Sequence, residues 1–256
     1  MGNPFTMRMD SATQGRLTEA RARAVAIDRS DAFGKFVDVV RQETPWRFNG
    51  VPELQRYLHN VDHHLENFVP KLLACMEGDV HAVFDFGCGS GSGSIALTMM
   101  FPELQCHGVD ISAAEVAIAR ARAELYGVAD RCHFSVIEEG GALPAANAEF
   151  DLCICCSVLE YVVQGDTRRF CVQEMVRVLA DGGWLFMSVP NRIYPIELHS
   201  HKFGWNYFPK LLRARIVGTS MGEIRRLARP SVLHPYRTSL PQLLTPWTNF
   251  CLQKKH

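Results

Sequence analysis

Asp85-Phe86-Gly87-Cys88-Gly89-Ser90-Gly91 sets three alternating glycines behind an acid, at the end of the apolar run 81–86. Glycine at a strand end lets the chain turn sharply with no Cβ in the way, and lets a ligand come close to the main chain. A helix that follows would aim its unpaired N–H groups and positive dipole end at the same point. Dinucleotides and adenosyl groups are the ligand classes that use this geometry. The dinucleotide pattern needs glycine at its sixth position, and that position is Ser92 when counted from Gly87 and Ser94 when counted from Gly89. A nucleoside-triphosphate loop needs Gly-Lys-Ser/Thr, and no Lys lies near. The next apolar run ends in Asp110, an acid able to accept both hydroxyls of a ribose.

These residues must be positioned by strands and helices, and the hydrophobic rhythm supplies them. Short β-like runs at 81–86, 106–111, 132–137, 150–156 and 183–189 alternate with helical stretches at 92–100, 113–126 and 167–179. That alternation predicts βαβ units and a parallel sheet. Residues 17–38 read as one helix and 51–76 as one or two, separated by a break at Pro45 and Gly50. Residues 219–229 read as helix, and 231–237 and 248–254 as two final strands. The expected division is an N-terminal tail and helical cap over 1–79, then a ligand-binding domain over 80–256 with an insertion at 190–218.

The chain of 256 residues balances 27 Lys and Arg against 27 Asp and Glu, so no net field draws it to nucleic acid or an anionic membrane. The nine cysteines are an odd number and sit mostly in apolar runs without paired CxxC units. They read as reduced, structural thiols of a cytoplasmic protein. The N-terminus has no apolar signal region, and no run is long enough to span a membrane.

The glycine loop and Asp110 belong to a longer series: "VFDFGCGSG", "GVDIS", "VIEEGGALP", "AEFDLCICCSVLEYV" and "EMVRVLADGGWLFMSVPN". In this order and spacing they resemble the class I S-adenosylmethionine-dependent methyltransferases, over residues 80–191. The resemblance implies a Rossmann-like, doubly wound, mostly parallel seven-stranded sheet with helices on both faces and an antiparallel last strand. It implies S-adenosylmethionine as cofactor and S-adenosylhomocysteine as product. On its pattern Gly87, Cys88, Gly89 and Gly91 meet the methionyl-ribose portion, and Asp85 lies beneath the amino group. Asp110 takes the ribose diol, Ile111 the adenine face, and Glu139 with Gly140 the adenine edge. Cys156 and Ser157 end the fourth strand, under the methyl. The chain departs from the family at Tyr161, where many members carry His, and at Glu139, where Asp is commoner.

Substrate-side groups must come from outside the sheet core. Residues 191–209 mix Tyr194, Phe203, Trp205 and Tyr207 with Glu197, His199 and His201, a composition that suits a substrate pocket, or an aromatic hairpin packed on the sheet or at a contact between two copies of the chain. His199 is the first choice for a base or orienting group, followed by Glu197, His201 and Tyr161. His59 and His63 are one helical turn apart, but no metal motif surrounds them and no metal is expected. The basic residues between Lys202 and Arg229 would steer an anionic substrate or form a solvated face. The function these features imply is methyl transfer to a small molecule. Another use of the same cofactor, or a silent scaffold of the same fold, keeps the same loop.

Overall fold

The computed structural model describes residues 6–7, 10–76, 78–162, 165–190, 220–228, 233–238 and 247–255. The chain forms two units, residues 1–138 and 139–256. The first opens with a short strand β1 (Thr6–Met7), then helices α1 (Ser11–Asp28) and α2 (Asp31–Glu43). The single helix expected over 17–38 is broken at Ser30. Its side chain donates to the carbonyl of Ile27 at 2.7 Å, and its backbone is extended at the entry to α2. Serine competes locally for backbone partners, and this favours a boundary over a helix interior.

A 3₁₀ turn (Pro45–Phe48) occupies the expected break. The stretch 51–76 holds three short helices, α3 (Leu54–Leu58), α4 (Asn60–Asn67) and α5 (Val69–Cys75), where one or two were expected. Then come β2 (Gly78–Asp79), β3 (Ala82–Phe86), α6 (Ser92–Met100), β4 (Gln105–Asp110), α7 (Ala113–Leu125) and β5 (Cys132–Val136). Strand β1 pairs with β2 in a small antiparallel ribbon. The N-terminal helices do not stand apart from the nucleotide-fold elements. Val61 and Leu65 of α4 are buried where that helix packs on α6. Phe36 and Val40 of α2 form a cluster with Leu58 and with Ile118 of α7. Arg21 of α1 and Asp62 of α4 form a paired-donor ion pair, with Nε at 2.8 Å from Oδ1.

The second unit holds β6 (Phe150–Cys156), α8 (Gly165–Val178), β7 (Leu179–Pro190), α9 (Met221–Leu227), β8 (Leu233–Thr238) and β9 (Trp247–Lys254). Strand β7 starts at Leu179, four residues before the expected start at Gly183. The mixed sheet has seven strands and is mostly parallel. The first unit contributes the order β5-β4-β3 and the second β6-β7-β9-β8. Strands β3 and β4, β4 and β5, and β6 and β7 pair parallel; β9 is antiparallel to both β7 and β8. This is the Rossmann-like arrangement expected from the sequence, a sheet type whose ligands generally bind outside the carboxyl ends of the strands. In the first unit those ends carry Gly87 after β3 and Asp110 at the close of β4.

Candidate cofactor site

The glycine loop is anchored to the neighbouring strand before it turns. The carbonyl of Val109 accepts from the amides of Gly87 at 2.8 Å and Cys88 at 3.0 Å. Gly87, Gly89 and Gly91 are all left-handed, with φ of 75°, 50° and 74°. Gly91 closes the turn on the carbonyl of Cys88 and then accepts the first helical bond of α6, from Ile95. The loop's shape therefore needs glycine, since a side chain at such φ is strained.

The glycines divide their work. A Cβ on Gly91 would lie 2.7 Å from Phe134 Cζ and 2.9 Å from Ala119 Cβ, so Gly91 serves the packing of the loop on β5 and α7. A Cβ on Gly89 would meet no protein atom within 4 Å. The chain leaves open space there, beside Asp110. Both alanine variants share the left-handed strain, and only Gly91→Ala adds overpacking, worth about 1–3 kcal/mol. Urea unfolding should therefore place Gly91→Ala below Gly89→Ala in stability, while Gly89→Ala should be the variant that loses ligand affinity with its fold intact. Equal unfolding midpoints would refute this division.

Two carboxylates flank the loop. Asp110 Oδ2 accepts the amide of Gly89 at 2.9 Å, and Oδ1 accepts the amide of Ser112 at 2.9 Å. Ser112 in turn caps α7 by accepting from the amide of Glu115 at 3.3 Å. Asp110 thus fastens the loop to the start of α7, and each of its oxygens keeps a further lone pair for a ligand. Beside it Ile111 is 59% exposed, a large apolar side chain offered to solvent. Asp85 is only 6% exposed and accepts from Ser94 Oγ at 2.7 Å. Burial pushes its carboxyl up to about 6; the Ser94 bond opposes the rise and the charge of Asp110 adds to it. The half-buried Cys88 thiol is pushed well above its ordinary range, again by burial, and so is no nucleophile at neutral pH.

The histidine pair of the sequence does not act as a pair. His59 follows the last residue of α3, where its Nδ1 lies 2.9 Å from Asp28 and its ring stacks on Phe33. His63, on α4, contacts Asn67 on an exposed surface. It is His64 that faces the first turn of α6, with its ring 3.6 Å from where a Gly93 Cβ would stand. Its Nδ1 bonds the carbonyl of Asn60 at 2.7 Å, and burial lowers the imidazole to about 4, so it is neutral at pH 7. Sequence spacing held no signal for this residue, because its neighbour lies almost thirty positions away. Among the described residues no group of three His, Cys, Asp or Glu could hold a metal ion.

In the second unit Glu139 is exposed and Gly140 is left-handed. The half-buried Cys156 closes β6, and Ser157 follows with φ 59°, held by its amide to the carbonyl of Ser188 at 2.9 Å. A left-handed serine is costly and is found where surrounding structure demands it. Tyr161 ends the next turn, its amide donating to the carbonyl of Val158, and is 55% exposed. Between them stands a residue the motif reading passed over. Glu160 is 0% exposed, and neither of its carboxyl oxygens has a hydrogen-bond partner. Burial pushes it up to about 7. Arg168 clasps the same turn through the carbonyls of Leu159 at 2.7 Å and Val162 at 3.3 Å. His199, Glu197 and His201, with the whole stretch 191–209, lie outside the described residues.

Glu160 makes stability depend on pH. A carboxyl raised in the folded state costs nothing below its unfolded value, and its cost grows as pH climbs from 4.5 to about 7. Glu160→Gln should remove that loss. The buried amide's own unpaired donors cost the same at every pH, so the variant's stability relative to wild type should rise by about 2–3 kcal/mol from pH 5 to pH 8. Urea midpoints at the two pH values check it, and parallel pH profiles for variant and wild type would refute it.

Comparison with known proteins places this geometry. Residues 83–183 match the model of a methyltransferase domain. Over 107 residues the chain is 32% identical to ajmaline N-methyltransferase of Rauvolfia serpentina, covering 41% of this chain and 34% of that protein. Over 110 residues it is 31% identical to a ubiquinone biosynthesis O-methyltransferase of Thiobacillus denitrificans, covering 43% and 44%. The chain therefore spans less than half the length of either relative. The crystal structure of the N-methyltransferase NodS from Bradyrhizobium japonicum, solved with S-adenosylhomocysteine, superposes with a TM-score of 0.52 at 14% identity, over 89% of this chain and all of that one. No helix among the described residues is long and apolar enough to cross a membrane. With the left-handed glycine loop, the open space at Gly89 and the ribose-type acid closing β4, residues 83–183 resemble a methyltransferase domain of the class I type, whose cofactor is S-adenosylmethionine.

Proposed function

We propose that this chain transfers the methyl group of S-adenosylmethionine to a small-molecule acceptor by in-line displacement. The observation that carries the reading is the open space beside Gly89, whose amide is held by Asp110, with the exposed Ile111 next to that acid in sequence. Gly87, Cys88, Gly89 and Gly91 would line the methionyl-ribose portion with backbone. Asp85 would face the amino group, Asp110 the ribose diol and Ile111 the adenine. Glu139, Gly140, Cys156 and Ser157 take their cofactor roles from their motifs. The cofactor supplies a methyl already activated on sulfur. The chain's task is then to orient the acceptor and exclude water, an effect worth up to roughly 7–11 kcal/mol in well-aligned cases. Tyr161, His199, Glu197 and His201 are the candidates to hold the acceptor or take its proton. The small acceptor accords with relatives named for N- and O-methylation.

Calorimetry with S-adenosylhomocysteine, followed by mass spectrometry of S-adenosylmethionine incubated with panels of amines and phenols, tests the reading. A product heavier by one methylene, with S-adenosylhomocysteine released, supports it. Absence of binding would remove it. Release of methylthioadenosine would point to a different transfer.

A further inference from the structure

Behind the glycine loop lies a cation that the cofactor assignments do not use. Arg122, in the last turns of α7, is fully buried. Its Nη1 donates to the carbonyl of Leu58 at 3.0 Å; its Nη2 donates to the carbonyl of Tyr57 at 3.0 Å and to Ser90 Oγ at 3.4 Å. The rings of Phe36 and Tyr57 lie 4.7 Å and 5.5 Å from its central carbon. These hydrogen bonds go to carbonyls and a hydroxyl rather than to a carboxylate. Its Nε is buried with no hydrogen-bond partner. A buried guanidinium is costly to desolvate, so its place here calls for a task that a packed apolar side chain could not do.

The bonds describe that task. Tyr57 and Leu58 are the last residues of α3, and their carbonyls are the unpaired acceptors of a helix end, where a cation is favoured. Ser90 stands between two left-handed glycines, Gly89 and Gly91. Glycines surrender more conformational freedom than other residues on adopting a single shape, so the loop needs an outside anchor to keep one. A second grip lies beside the first. Ser90 Oγ is 3.2 Å from Ser92 Oγ, which accepts from Asn60 Nδ2 at 3.2 Å. Asn60 begins α4. The loop is thus held by its serines, from the end of α3 and the start of α4.

We propose that Arg122 is a positioning residue for cofactor binding: by tying the Tyr57 and Leu58 carbonyls to the Ser90 hydroxyl, it makes the helices ahead of β3 hold the glycine loop in its binding shape. The inference rests on the reading that this loop receives the cofactor. Lysine at 122 would keep the charge but lose the planar fork that reaches three acceptors at once.

The test is calorimetric titration of S-adenosylhomocysteine into the full chain, for wild type, Ser90→Ala, Arg122→Lys and the double variant, each with a urea unfolding curve. Ser90→Ala should bind three- to tenfold more weakly, with an unfolding midpoint close to wild type. Arg122→Lys should lose at least as much affinity, and adding Ser90→Ala to it should cost no more, because the link is already cut. Wild-type affinity in Ser90→Ala, or losses that multiply in the double variant, would overturn the proposal. Should Arg122→Lys fail to fold, Ser90→Ala alone decides by the same criterion. A wild type that does not bind S-adenosylhomocysteine removes the cofactor reading and this proposal with it; a wild type that binds, with Ser90→Ala unaffected, removes only the proposal.

Discussion

Asp85→Asn should yield a protein that is more stable without cofactor and weaker with it. The Asp85 carboxyl is buried and raised from 3.8 to about 6, so the unfolded chain binds fewer protons than the folded one between those values. The sign follows directly. Its ionisation costs nothing below pH 3.8; the cost grows as pH rises to about 6 and stays constant above. At pH 7.5 that cost is about 3 kcal/mol, since each tenfold change in proton affinity corresponds to about 1.4 kcal/mol. Asparagine cannot ionise and can still accept from Ser94, so urea unfolding at pH 7.5 should show the variant more stable by up to that amount. On the proposed assignment the same carboxylate faces the cofactor's amino group. Loss of a charge-assisted bond of about 1.5–3 kcal/mol should then weaken S-adenosylhomocysteine binding by tenfold or more. In the wild type, affinity should also fall as pH drops through 6, and in Asp85→Asn that slope should flatten. A variant that binds like wild type at pH 7.5 would remove Asp85 from the site.

Asp110→Ala should have a comparable effect on binding by a different route. Its two oxygens already hold the amides of Gly89 and Ser112, so the carboxylate shapes the loop as well as offering acceptors to a ribose. Losing the ribose bonds alone should cost about 2–3 kcal/mol, roughly 30- to 150-fold in affinity. Release of Gly89 should add to that. Hydrogen exchange at the Gly89 amide should quicken in the alanine variant, and Asp110→Asn, which keeps one accepting oxygen, should fall between it and wild type. Calorimetry and exchange together separate the two contributions. Affinity unchanged in Asp110→Ala would show that this acid serves the loop alone.

The nucleotide-fold half was legible because its signals are local. Helix α6 and strand β6 fall on their expected residues, since short apolar runs with sharp polar or glycine boundaries admit few other readings. The N-terminal region was read less well. Its helices are short, and their ends are set by individual side chains such as Ser30, whose bond to Ile27 cuts a pattern that looks continuous by period alone. The paired histidines show the same limit. Helical spacing placed His59 and His63 together, yet a helix ends between them, and the imidazole that faces the first turn of α6 is His64.

Residue order alone was enough for the cofactor loop, the acid that closes β4 and the family they resemble, because glycine types and strand-end acids are constrained by the backbone and a ligand close at hand. How each residue is employed emerged from the folded chain. Gly91 packs against Phe134 while Gly89 faces open space, although the two are alike in sequence and in φ. Glu160 is buried without a partner beside an exposed Tyr161. Arg122 reaches Ser90 and the end of α3 from more than thirty residues away in either case. Burial and long-range hydrogen bonding depend on which surfaces meet, and that is settled by packing among distant segments rather than by the spacing of residues along the chain.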